Sequence, residues 1–156
     1  MDTRRRQGLR IAGGAGMIAA LAAIGLVPPS RANAQALGPS AFQARTLAEA
    51  LKVVGVAAPA ASPSVTLQAE EVAENGAQVE IGIRSTLPKT DLMAVMVERN
   101  PSPLVAVYRF MDGMETELTM NLKMGETSDV VLVARAEGRW YMARRQIKVT
   151  LGGCAG

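Results

Sequence analysis

Ala77-Gln78-Val79-Glu80-Ile81-Gly82-Ile83-Arg84-Ser85 puts Val79, Ile81 and Ile83 on one side of an extended chain and Glu80, Gly82 and Arg84 on the other. A period of two predicts a strand with one face packed and the other turned to solvent or a partner. Six more short runs rich in Val, Ile, Leu, Thr and Met occupy 65–69, 92–99, 104–111, 117–123, 130–136 and 140–151. Turn-forming sequences separate them: Glu74-Asn75-Gly76, Leu87-Pro88, Asn100-Pro101-Ser102-Pro103, Asp112-Gly113 and Glu137-Gly138. Seven such strands, with no later segment of helical period to serve as a parallel crossover, predict an all-β antiparallel β-sandwich. Two of the runs, 92–97 (LMAVMV) and 130–134 (VVLVA), are apolar on both faces. A two-layer sandwich leaves each sheet an outer face, so the N-terminal helix or another protein is expected to cover one sheet.

Upstream the period changes. Phe42, Leu47, Leu51 and Val54 recur at helical spacing across 41–54, and Gly55 supplies a stop, which predicts one amphipathic helix. Residues 57–64 (AAPAASPS) hold two prolines and two serines among small side chains and read as a linker or an extended arm. Further back, Arg4-Arg5-Arg6 opens a basic stretch, 9–27 is an Ala/Gly-rich apolar run broken only by Arg10, and Pro28-Pro29 precedes Ala32-Asn33-Ala34. This is the layout of a cleaved export signal, with cleavage expected after Ala34 or Ala36. Its uninterrupted apolar part, 11–27, is about 17 residues long and weakly hydrophobic, so no stable membrane anchor is expected. Paired arginines followed by Gln7-Gly8-Leu9 resemble a twin-arginine signal, which exports folded proteins. The expected plan is an export signal at 1–34, helix and linker at 35–64, sandwich at 65–151 and tail at 152–156.

Composition narrows the chemistry. The chain has no histidine, which excludes Ser-His-Asp and Cys-His nucleophile systems, an H-E-x-x-H zinc site and any imidazole base. A single cysteine excludes CxxC redox pairs and intrachain disulfides. Of 17 basic and 14 acidic residues, the leader takes five Arg and one Asp, leaving 12 basic and 13 acidic. The remainder is close to neutral, so nothing electrostatic favours nucleic acid.

That one cysteine lies in Leu151-Gly152-Gly153-Cys154-Ala155-Gly156. Two glycines free the backbone before it, and Gly153, Ala155 and Gly156 surround the sulfur with almost no bulk. The three residues from Leu151 to Cys154 span at most about 10 Å when extended. The expectation is a thiol displayed on a short, thin arm. An exported protein seldom keeps an unpaired thiol without use, and placement alone leaves an intermolecular disulfide open as well as a displayed reactive group. With no histidine to take its proton and a terminal carboxylate two residues away, Cys154 suits being acted upon better than acting.

Lys148-Val149-Thr150-Leu151-Gly152-Gly153-Cys154-Ala155-Gly156 resembles the KVTIGGCGG terminus of the SoxY family, sulfur-carrying subunits of the thiosulfate-oxidising Sox system. Asn100-Pro101-Ser102-Pro103 with Val105-Ala106, the stretch Leu122-Lys123-Met124-Gly125-Glu126-Thr127-Ser128-Asp129-Val130, and the twin-arginine-like leader are similar to that family in content and order. Leu151 stands for the usual Ile and Ala155 for the usual Gly. The resemblance implies an Ig-like sandwich, a periplasmic heterodimer with SoxZ, no cofactor and no catalytic residue of its own. It implies that Cys154 is the covalent attachment point for sulfur, with Gly152, Gly153, Ala155 and Gly156 as the carrier arm. SoxXA would join thiosulfate to that cysteine, SoxB would release sulfate, and SoxCD, where present, would oxidise the sulfur left behind. The alternatives are an exported Ig-like adaptor whose cysteine forms an inter-subunit disulfide, and a divergent SoxY-like subunit of another periplasmic oxidation system.

The remaining clusters carry no chemistry in this reading. Glu70, Glu71 and Glu74, and Glu115 with Glu117, flank turns and are expected to be solvated. Adjacent strand residues point to opposite faces, so at most one of Arg144 and Arg145 serves a given surface. The seven methionines beyond the leader are expected to fill the core of a chain with only five aromatic residues.

Overall fold

The computed structural model describes residues 37–150, and both the leader expected at 1–34 and the tail at 152–156 lie outside them. A 3-10 turn (Pro39–Gln43) and a helix, α1 (Leu47–Val54), come first. Nine strands follow: β1 (Ala60–Ala61), β2 (Val65–Ala69), β3 (Val72–Ala73), β4 (Val79–Ser85), β5 (Thr90–Val97), β6 (Leu104–Arg109), β7 (Glu117–Leu122), β8 (Ser128–Ala136) and β9 (Arg139–Val149). One sheet runs in the order β1-β9-β8-β5-β6, with β3 added against β9, and the other in the order β2-β4-β7. All the long pairs are antiparallel. Between β8 and β9 the chain reverses through Glu137 (φ 51°) and Gly138 (φ 76°), the two left-handed residues that a type I′ hairpin requires. The all-β, Ig-like sandwich with an N-terminal helix is therefore the architecture found.

β2 and β4 to β9 are the seven runs of alternating sequence, and two dipeptide strands are added to them. Both run parallel to β9: β1 pairs Ala60 with Tyr141 and Ala61 with Met142, while β3 pairs Val72 with Lys148 and Ala73 with Val149. The stretch 57–64 is thus partly a strand and not only a linker.

The helix expected across 41–54 is interrupted. Thr46 is extended (φ −129°, ψ 155°), and its side-chain oxygen accepts from the Glu49 N–H at 3.2 Å, while the Glu49 carboxylate accepts from the Arg45 N–H at 2.8 Å. The first bond satisfies a donor that the first turn of a helix leaves open, the second ties Glu49 to the residue before the cap, and α1 starts at Leu47. It ends on Gly55 (φ 84°), where the Val56 N–H reaches back to Leu51 O at 2.9 Å. Phe42, expected on the helix's packed face, falls in the preceding 3-10 turn and is exposed.

Two cores divide the side chains of the doubly apolar strands by parity. Met93, Val95 and Val97 of β5, with Val130, Leu132 and Ala134 of β8, face the second sheet and meet Ile81, Ile83 and Leu122. Leu92, Ala94, Met96, Val131 and Val133 face the other way, onto Ala41, Ala44, Ala50 and Val54. Of the two covers expected for that face, the N-terminal segment is the one present. Fully burying a Val, Leu or Met side chain contributes about 1.5–3 kcal/mol relative to leaving it in water, so two central strands apolar on both sides need both covers. Arg135 reinforces this side by bonding Asp91 at 2.6 and 2.8 Å while its guanidinium lies 5.6 Å from the Trp140 ring centre.

Candidate functional site

β8 runs out before β9 does. The last pair in their ladder is Ser128 with Ile147, and Ile147 is fully buried. Three further residues of β9 and its end still need partners for backbone groups that alternate from one edge to the other. On one edge the Lys148 N–H donates to Glu71 O at 2.8 Å, and the Thr150 N–H donates to Ala73 O at 3.1 Å. The Thr150 hydroxyl donates to the same Ala73 oxygen at 3.3 Å. On the other edge the Val149 N–H donates to Thr127 Oγ1 at 3.0 Å, a side chain standing where a longer β8 would have offered a carbonyl.

Gly76 closes this arrangement from below. Its carbonyl accepts from the Met124 N–H at 2.7 Å. A Cβ at this position would overlap the Met124 carbonyl oxygen and lie 2.8 Å from Val149 Cγ1, so only glycine lets the two loops meet around Val149. The loop bearing Met124 and Thr127 is itself tied down. Asn100 donates through Nδ2 to Lys123 O at 2.8 Å, Ser128 Oγ accepts from the Arg99 N–H at 3.0 Å, and Arg99 lies 3.7 Å from Glu126.

Arg144 at this end and Arg135 at the hairpin end are paired with carboxylates. Arg144 bonds Asp129 at 2.7 Å and also bonds Glu98. Burial pulls its guanidinium below the usual value, and the hydrogen bond and charge of Asp129, with those of Glu98, more than reverse that, leaving it above. At Arg135 the hydrogen bond it donates to Asp91 is the main cause of a shift in the same direction, against a smaller opposing effect of burial. Both guanidiniums therefore stay charged. An open groove of about 820 Å3 borders the root of the tail, lined by Gln68, Glu70, Val72, Glu74, Gln78 and Glu80 among others.

Cys154, Gly152, Gly153, Ala155 and Gly156 lie outside the described residues, and Thr150 is the last residue described. Glu70, Glu71, Glu74 and Glu115 are exposed, and Glu117 forms a 3.5 Å pair with Arg84. Among the described residues no group of three His, Cys, Asp or Glu side chains is placed to hold a metal, and no helix is long and apolar enough to cross a membrane. Most methionines do fill the core, but Met111 and Met114 stand exposed in the β6–β7 connection. Sequence reading missed Thr127, Ala73 and Gly76, which together hold the root of the tail. A glycine after Asn75 looked like an ordinary turn residue, and only its contact with Val149 shows otherwise.

The class that emerges is an Ig-like β-sandwich whose longest described strand is tied off at Val149 and Thr150, a few residues before the one cysteine of the sequence. A family model described as "Sulfur oxidation protein SoxY" matches residues 50–154, and the chain belongs to that family. The match begins within α1 and ends on Cys154. The sulfur carrier protein SoxY from Chlorobium limicola f thiosulfatophilum is 32% identical, covering 60% of this chain and 86% of that one with a TM-score of 0.55. A superoxide reductase (neelaredoxin) from Ignicoccus hospitalis aligns over 56% of this chain and 80% of its own with a TM-score of 0.51. At 13% identity it shares the fold alone. No curated protein sequence matches.

Proposed function

We propose that this chain is a carrier that holds thiosulfate-derived sulfur covalently on Cys154 and presents it to separate enzymes. The observation that carries the reading is the family match, which runs through the tail to Cys154 itself. A relative named as a sulfur carrier, at 32% identity, supports it. In the first step the thiol gives up its proton, and two electrons leave to the haem c of SoxXA. The Cys154 sulfur then joins the terminal sulfur of thiosulfate as a cysteine S-thiosulfonate. In the second, SoxB adds water across the bond between that terminal sulfur and the sulfonate, releasing sulfate with two protons and leaving a persulfide on Cys154. SoxCD, where present, oxidises that remaining sulfur. The chain supplies attachment and reach, and its partners supply the chemistry.

This reading places the protein in the periplasm, exported folded by the twin-arginine route and paired with SoxZ, with no cofactor beyond its bound sulfur. An intact mass spectrum of the native protein from thiosulfate-grown cells tests it. Reductant-labile increments of sulfur or thiosulfate, absent in Cys154→Ser, are expected. A mass that is always unmodified, or always that of a disulfide dimer, overturns the carrier in favour of an inert or cross-linking cysteine.

A further inference from the structure

We propose that the β7–β8 loop and the segment from Val72 to Gly76 form a collar that sets the pivot of the carrier arm just beyond Thr150, with Thr127 as its positioning residue. The proposal rests on the carrier reading and adds to it a role for the stretch Leu122 to Val130, which that reading leaves unused. A strand that outlasts its neighbour frays, because its unpaired amides gain as much from water as from the sheet. Here each of the last three amides has a protein acceptor, alternating between Glu71, Thr127 and Ala73. Of the three acceptors Thr127 alone is a side chain, and it stands opposite the two carbonyls, so it decides whether the strand end is held from both edges or from one. Gly76 permits the close approach of Met124 and Val149, and the bond from Asn100 to Lys123 O holds the loop in place.

The consequence is a defined reach. Four residues from Thr150 to Cys154 span at most about 14 Å. If the three amides at 148–150 let go, the ladder still holds Ile147, and seven residues separate that fixed point from the sulfur. Lengthening a tether from four residues to seven lowers the effective concentration at its end by about twofold. The collar is thus expected to govern how readily partner enzymes find the arm, and not the rate once they hold it.

The test uses the full chain with its native Cys154, in complex with its natural partner subunit. Thr127→Val keeps the shape and removes the acceptor, while Thr127→Ser keeps the acceptor. In Thr127→Val the Val149 amide should exchange at least about tenfold faster with no change at Val130 to Val133, as expected for a local opening. A nitroxide on Cys154 should become more mobile, and the apparent KM of the enzyme that loads thiosulfate should rise about twofold at unchanged kcat. Thr127→Ser should match the parent in all three. Unchanged Val149 exchange in Thr127→Val, altered exchange with unaltered KM, or failure of Thr127→Ser to match would each overturn the collar. Exchange and nitroxide mobility need no cargo. Their response in a protein that never carries sulfur would sink the carrier reading and, with it, the purpose assigned to the collar, whereas sulfur loading with no response sinks the collar alone.

Discussion

The two ends of β9 are held by different physics. From Arg139 to Ile147 the strand pairs residue by residue with β8, and its side chains enter both cores. From Lys148 to Thr150 it is held by two carbonyls of a short segment and one hydroxyl of a loop. The first hold is a ladder backed by burial, which opens only when the domain does. The second consists of a few hydrogen bonds, each worth about 0.5–1.5 kcal/mol net, and opens locally. Stability resides at one end of the strand and the proposed function at the other, so each should be removable without the other.

The largest effect expected is complete. Cys154→Ser should abolish every sulfur adduct seen by mass spectrometry and leave the calorimetric melting temperature where it was, and a lower melting temperature would break the division. Leu132→Ala attacks the other end, since Leu132 is fully buried between the sheets. It should cost about 2–5 kcal/mol in denaturant titration. Maleimide labelling of Cys154 in the folded fraction should not change. Gly153→Val adds bulk and restricts the backbone beside the sulfur, so turnover by enzymes that enclose the arm should fall about tenfold or more. Small maleimides should react as before, and slowed labelling would move the cause from access to thiol reactivity. Smallest is Thr46→Ala, which removes the cap of α1 for about 1 kcal/mol. Hydrogen exchange should quicken in α1 and remain unchanged at Val149, which sharpens the distinction between covering the sheet and anchoring the tail.

Much of the body was legible because burial imposes periodicity. All seven alternating runs became strands, and the excess of apolar side chains in 92–97 and 130–134 pointed to a cover for the outer face, which Ala50 and Val54 supply. The interrupted helix was harder to read. Phe42 fits the helical spacing, but Thr46 with Glu49 forms a better start, and a local cap outweighs one apolar position. β1 and β3 could not be read, since two residues carry no period and their pairing depends wholly on where β9 passes.

From sequence alone came the sandwich, the amphipathic N-terminal segment, the absence of a histidine-based catalytic apparatus and the singling out of Cys154. Each is a property of residue type and near-neighbour spacing: alternation follows the pleat, and a single cysteine between small residues in a chain without histidine stands out by type alone. Tertiary structure decided which cover the doubly apolar strands receive, and that Thr127, Ala73 and Gly76 meet around the end of β9. Thr127 is 51 positions beyond Gly76 in the chain, and all three residues are individually ordinary. What joins them is that β8 begins only at Ser128, opposite Ile147, while β9 continues to Val149, leaving backbone amides that must find partners from whatever loops the fold brings there.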